Sequence, residues 1–158
     1  MILDRNEIIP DRLWVGGLIR PEDIRLLVQM GITNVVNLQS DEDFSNYGIS
    51  LKKLVKAYEK ARIELHRIAT DDFDAEALER NLAQCVALLE LALKPRWAKV
   101  YLHCTAGINR SPTMAAAYLI KSRGMSALEA HDFVLARRSC NPSLEILEKY
   151  SQILKGAP

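Results

Sequence analysis

The chain reads as an α/β protein with a short, largely parallel central sheet flanked by helices. Three observations predict it. Segments that read as short strands, over residues 32–38, 64–69 and 98–103, alternate with longer segments whose apolar residues recur at helical spacing. The boundaries between them carry capping and breaking residues. At 158 residues, with no internal repeat, low-complexity run or linker, the chain suits one domain spanning residues 1–158 and is long enough to bury a core.

The elements follow in order. Ile24, Leu27 and Val28 predict a helix over residues 21–30, with Pro21 suited to its first turn and Gly31 as its stop. Residues 32–38 then read as a strand, and residues 39–50 as a polar loop broken by Phe44, Tyr47 and Gly48. A helix over residues 51–62 and a short strand over residues 64–69 come next. Asp74 caps a long helix over residues 75–93, whose apolar face is Leu78, Leu82, Cys85, Val86 and Leu89. After Lys94-Pro95, residues 98–103 form a strand that leads into a cysteine loop. Ser111-Pro112 opens a helix running to Arg123 before Gly124. Ser126 and Glu129 form a capping-box pattern for a helix to about Arg138, and residues 144–154 make a last amphipathic helix.

Composition excludes several classes. Apolar residues make up 49% and charged residues 26%, with a formal net charge of +1, so neither disorder nor a nucleic-acid-coating surface is expected. No apolar run reaches membrane-spanning length. The N-terminus lacks the basic start and apolar stretch of a secretory signal. Cys85, Cys104 and Cys140 are an odd, sparse set, unlike a disulfide framework, and point to a reducing, cytoplasmic setting. His66 and His131 are not spaced with His103 as metal ligands are, so no metal or other cofactor is expected.

The chemistry is concentrated in His103-Cys104-Thr105-Ala106-Gly107-Ile108-Asn109-Arg110-Ser111. A phosphate monoester needs donors around its equatorial oxygens and a nucleophile beneath phosphorus. Backbone amides from Thr105, Ala106, Gly107, Ile108, Asn109 and Arg110 can converge into an anion-binding nest. The helix start at Ser111 adds its positive end, and Arg110 a planar fork for two phosphate oxygens. The same field favours the thiolate of Cys104 as nucleophile. Ser111 is placed to hydrogen-bond the departing sulfur, and His103 to orient the loop. For Cys85 and Cys140, a small buried residue is the simpler reading. Asn109-Arg110-Ser111 also fits a glycosylation acceptor, a signal without meaning in a cytosolic pocket.

The leaving oxygen needs a proton. Thr70-Asp71-Asp72-Phe73-Asp74 lies after a strand and before a long helix, where it can fold over the cysteine loop and supply one.

His-Cys-x5-Arg-Ser resembles the signature of the cysteine-dependent dual-specificity phosphatases, and the resemblance runs from roughly Arg12 to Leu154. It implies that family's fold and a phosphocysteine intermediate. It also implies an acid upstream of the cysteine, a position that Asp72 occupies, with Asp71 the runner-up and Asp74 the helix cap. The chain order is the reverse of low-molecular-weight tyrosine phosphatases, and the shortness implies a shallower pocket than in receptor-like tyrosine phosphatases.

A second similarity lies within the family. Asn37-Leu38-Gln39-Ser40-Asp41, Tyr47-Gly48-Ile49, Asp72-Phe73-Asp74, Arg138-Ser139-Cys140 and the Cys104-Thr105-Ala106-Gly107 start of the loop look like segments of plant glucan phosphatases. That similarity implies Tyr47 and Phe73 as aromatic platforms of a substrate channel; packing under a loop is the alternative for both. The chain departs from those enzymes at Asn109, where they usually have glycine, and at Ser111, where alanine is frequent. Ile108-Asn109-Arg110-Ser111-Pro112-Thr113 is similar instead to protein-directed enzymes. An Asn before the arginine also occurs in RNA 5′-triphosphatases, but the near-neutral charge provides no basic track for RNA. Arg137 and Arg138 are expected to complement the C-terminal end of their helix, with a second anion site as the alternative.

The expected activity is therefore hydrolysis of phosphorylated protein on tyrosine, serine or threonine, with phosphorylated glucan as the alternative substrate. No nucleic-acid or membrane partner is expected. A non-catalytic phosphate-recognition module is the reading from another class.

Overall fold

The computed structural model describes residues 2–156. Strands β1 (Arg5–Ile9), β2 (Leu13–Gly16), β3 (Asn34–Asn37), β4 (Glu64–Arg67) and β5 (Val100–His103) form one sheet in the order β1-β2-β5-β3-β4. Only β1 runs antiparallel; β2, β5, β3 and β4 are parallel neighbours. Helices α1 (Ile24–Met30), α2 (Asp41–Asn46), α3 (Leu51–Ala61), α4 (Ala75–Ala92), α5 (Arg110–Arg123), α6 (Ala127–Leu135) and α7 (Leu144–Leu154) cover its two faces.

Alternation along the strands divides the core. Val15, Val36 and Leu102 point to one face and are buried with α4 to α7, whereas Trp14, Val35 and Tyr101 point to the other with α1, Phe44 of α2, and α3. The shared register makes the layers coherent: Val15 and Val36 both lie beside Leu102, and Trp14 and Val35 beside Tyr101. Helix α5 is buried almost all round, with α4, α6 and α7 packed against it. Its Ala115-Ala116-Ala117 run lets those neighbours approach closely.

The capping residues act as the sequence predicts. Asp74 accepts from Ala77 N at 3.0 Å to start α4, and Ser126 accepts from Glu129 N at 3.1 Å to start α6. Gly31 and Gly124 close α1 and α5 in the left-handed conformation.

Four expectations need correction. The β1–β2 hairpin lies in residues for which no element is predicted; β2 is buried on both faces, so Leu13-Trp14-Val15 shows no period-two alternation. The predicted 39–50 loop contains α2, started by a reciprocal pair in which Ser40 Oγ accepts from Asp43 N and Asp43 Oδ2 accepts from Ser40 N at 2.9 Å. Strands β3, β4 and β5 are shorter than predicted, because Ile32, Ile68 and Ala98 bury their side chains in the flanking loops rather than in the ladder. Helix α6 ends at Leu135 rather than Arg138, and the chain turns inward there.

Parallel strands place their C-terminal ends together. Gly16, Asn37 and His103 stand in register at that edge, so the segments following β2, β3, β4 and β5 converge on one mouth.

Candidate active site

Cys104 follows β5 directly and α5 starts at Arg110, so five residues, Thr105 to Asn109, must turn the chain through a tight bowl. Gly107 makes the turn possible. Its φ is +67°, and a Cβ there would lie 2.6 Å from the Gly16 carbonyl oxygen. Among the described residues, the amides of Thr105, Ala106, Ile108 and Asn109 have no backbone acceptor. The Gly107 amide donates to Cys104 Sγ at 3.3 Å, and Ser111 Oγ lies 3.3 Å from the same sulfur. Cys104 is 2% exposed at the floor of the bowl.

Arg110 is equally buried. Its Nη1 donates to Asp43 Oδ2 at 2.6 Å and to the Thr70 carbonyl at 2.9 Å, while Nη2 lies 3.2 Å from Asp72 Oδ2. Nε has no partner among the described residues, leaving one donor of the fork open. Burial pushes the Asp43 carboxyl up, but bonds from Arg110 and Ser40 outweigh it and hold the group below its usual value. Asp43 thus orients the guanidinium as a permanent anion, a role that sequence reasoning missed. The Ser40-x-x-Asp43 spacing was the available signal.

Asp72 is about one-third exposed beside Arg110, and its Oδ1 accepts from the Phe73 amide at 3.1 Å. Asp71 is exposed and takes part in no ion pair among the described residues. Phe73 is fully exposed, in a left-handed backbone at φ +59°, and Tyr47 is 46% exposed. Packing under a loop therefore does not describe Phe73. Phe73, Tyr47, Asp72 and Thr105 line one small cleft of about 170 Å³.

His103 stands behind the loop with no exposure. Its Nδ1 lies 2.9 Å from the Cys104 carbonyl oxygen, which only accepts, so the proton sits on Nδ1. Burial lowers its pKa to about 4, and the imidazole is neutral at pH 7. Gln39 Nε2 braces the loop from the segment after β3, donating to Thr105 Oγ1 at 3.0 Å.

Arg138 is not a helix-end cation. It is 5% exposed and reaches back under the loop, donating from Nε to Gly107 O at 2.7 Å and from Nη2 to Ala106 O at 3.2 Å. Its other donors meet Asn6 Oδ1 and the Asp4 carboxylate. Those bonds leave no open donor for a second substrate anion. Asn109 ties the bowl's rim outward, its Nδ2 donating to Asn141 O at 3.0 Å. Cys85 is a free thiol whose pKa burial raises to about 12, and burial also raises that of Cys140, against the opposing charge of Arg138.

A family model described as the dual specificity phosphatase catalytic domain matches residues 14–152. The chain belongs to the dual specificity phosphatase family. It is 30% identical over 148 residues to the amyloplastic phosphoglucan phosphatase DSP4 of Castanea sativa, covering 92% of this chain and 39% of that protein. The chain thus spans well under half the length of that relative. With the dual specificity protein phosphatase 13B of Homo sapiens it shares 28% identity over 144 residues, covering 91% and 69%. Among solved structures it is similar to PTPMT1, with a TM-score of 0.77, 25% identity and 96% of each chain covered. The antiparallel β1, the four parallel strands and the cysteine loop before α5 are, in this member of the family, one architecture serving one mouth.

Proposed function

We propose that this chain is a cysteine-dependent phosphomonoester hydrolase that removes phosphate from tyrosine, serine or threonine of proteins through a phosphocysteine intermediate. The observation that carries the reading is the contact set around Cys104: Gly107 N and Ser111 Oγ at 3.3 Å, beneath a bowl of unpaired amides, with Arg110 and Asp72 joined at 3.2 Å beside it.

The steps follow from these positions. Cys104 Sγ, as thiolate, attacks phosphorus in line with the ester bond; as Sγ–P forms, P–O breaks and its electron pair stays on the substrate oxygen. Asp72 gives that oxygen its proton. The loop amides and the Arg110 fork hold the three equatorial oxygens, whose charge grows toward the transition state. A water then attacks phosphorus and yields a proton to the Asp72 carboxylate, while the Sγ–P pair returns to sulfur. Ser111 Oγ–H donates to that sulfur and makes it a better leaving group. Arg110 and the amides supply the positive charge that a metal supplies in other phosphatases. Three unpaired cysteines fit a reducing, cytoplasmic setting.

Hydrolysis of an aryl phosphate in the presence of a chelator tests the reading. Cys104→Ser is expected to lose turnover and retain phosphate binding. Absence of turnover by the folded wild-type protein would leave a phosphate-recognition module in its place. A phosphorylated glucan is the second reading, favoured by the full exposure of Phe73 beside Tyr47, which suits stacking on a sugar ring. Phosphate release from phosphopeptides and solubilised phosphoglucan under one condition separates the two. A large preference for glucan that is lost on changing Tyr47 or Phe73 would reverse the order.

A further inference from the structure

Phe73 stands as a wall between two clefts at the catalytic mouth. The smaller is lined by Ser40, Glu42, Asp43 and Tyr47, among others. The larger, of about 410 Å³, runs from Asp72 and Asp74 over Leu78, Ile108 and Ile146 to the polar side of Asn109 and Asn141. Four carboxylates line the pair of clefts, and among the described residues no Lys or Arg does. Among those residues the single cation at the mouth is Arg110, and Asp43 and Asp72 already face it. Of the neighbouring cations, Arg67 pairs with Asp41 at 2.7 Å, and Arg20 donates to the Tyr47 carbonyl at 3.0 Å, keeping its charge but lying outside the lining of both clefts.

A phosphate dianion fills the positive capacity of this mouth. Glu42 and Asp74 then remain without a cationic side-chain partner on either side of Phe73, both exposed and in no ion pair among the described residues. The larger cleft adds a feature that charge alone does not. Its floor of Leu78, Ile108 and Ile146 is apolar, its entry carries the Asp74 carboxylate, and its wall is the exposed ring of Phe73. A Lys or Arg side chain matches all three: an aliphatic stem for the floor, a cation for the carboxylate, and a cation over an aromatic face.

We infer that the clefts beside Phe73 select phosphorylated protein segments with Lys or Arg next to the phosphoresidue, and reject flanks that are acidic or carry a second phosphate. The inference rests on the proposed phosphoprotein reading and names the class of segment within it. Glu42, Phe73 and Asp74 are the residues that set the preference.

The test uses phosphopeptides with one central phosphotyrosine and flanks of Arg, Ala or Glu. The expected kcat/KM for Arg flanks exceeds that for Glu flanks by about tenfold at low ionic strength, and the ratio shrinks at about 0.5 M salt as the charges are screened. In Glu42→Gln/Asp74→Asn, where Asn keeps the cap of α4, the ratio falls toward one. Phe73→Leu lowers the ratio for Arg flanks while leaving the salt dependence in place. Equal rates on all three peptides, a preference for Glu flanks, or an unchanged ratio in the double variant would overturn the inference. So would solubilised phosphoglucan turned over faster than the Arg-flanked peptide. Binding of the same peptides to Cys104→Ser reads the preference independently of turnover. Failure to hydrolyse an aryl phosphate therefore refutes the hydrolase reading, and flat peptide affinities refute this one.

Discussion

Arg138→Met removes the brace under the catalytic loop while filling much of its volume. The guanidinium makes two bonds to loop carbonyls, at 2.7 and 3.2 Å, and a further set to Asp4 and Asn6. Hydrogen bonds to a charged group contribute about 1.5–3 kcal/mol each. The Asp4 carboxylate is 69% exposed, so that pair is worth only about 0–1 kcal/mol. Removing a buried charge offsets part of the loss, and a net cost of about 3 kcal/mol follows, or roughly 6–12 °C in Tm for a domain of this size. Activity suffers by a separate route. A peptide plane is rigid, so holding the Gly107 carbonyl outward aims the Ile108 amide into the bowl. With that carbonyl released, kcat/KM for an aryl phosphate is expected to fall about 10²-fold. Urea unfolding and inhibition by inorganic phosphate check the two effects, with Asp4→Asn as the control expected to lose under about 1 kcal/mol. A loss under about 1 kcal/mol in Arg138→Met, or equal losses in both variants, would refute the assignment of the energy to the loop carbonyls.

Asp72→Asn is expected to lower kcat by about 10² to 10⁴ on esters with poor leaving groups and by less on activated aryl esters. The same pattern in Asp71→Asn instead would move the acid by one residue. Asp43→Ala leaves Arg110 buried with one strong partner fewer and is expected to cost about 3–5 kcal/mol in urea unfolding, Asp43→Asn clearly less. His103 has a folded pKa of about 4 against the ordinary histidine value of 6.5, so the unfolded chain takes up the proton first. Its contribution is fully present above pH 6.5 and is lost as pH falls through about 4, by up to about 3 kcal/mol. His103→Asn flattens that part of the stability–pH curve; an unchanged curve in the variant sinks the argument.

The parts of the site that lie in one stretch of chain were legible. The residues from His103 to Ser111 carry the proposed nucleophile, the nest, the fork and the helix start contiguously, and the upstream Asp72 stands in a loop bounded by a strand and a capped helix. The braces were not legible, because they act across sequence. Asp43 meets Arg110 over a separation of 67 residues and Arg138 meets Gly107 over 31. Local rules assign Arg138 to a helix end, and only the inward turn after Leu135 aims it at the loop. Helix α2 carried its own signal in Ser40 and Asp43, but Phe44 is its one large apolar residue facing the core, too few for a periodicity to emerge. The β1–β2 hairpin escaped for the opposite reason, since a strand buried on both faces and a helix segment look alike over four residues.

The bond from Arg138 to Asp4 also bears on how the protein is handled. Asp4 precedes the first strand, and its carbonyl takes the Gly17 amide at 3.0 Å while its carboxylate holds the loop's brace. A reporter or affinity label joined to the N-terminal residues would load that segment, and a loss of turnover after labelling would be mistaken for damage elsewhere. The other end of α7 is the safer attachment point. Lys155 and Gly156 are exposed, and eleven residues of helix set them about 16 Å from Ser143 at the cleft.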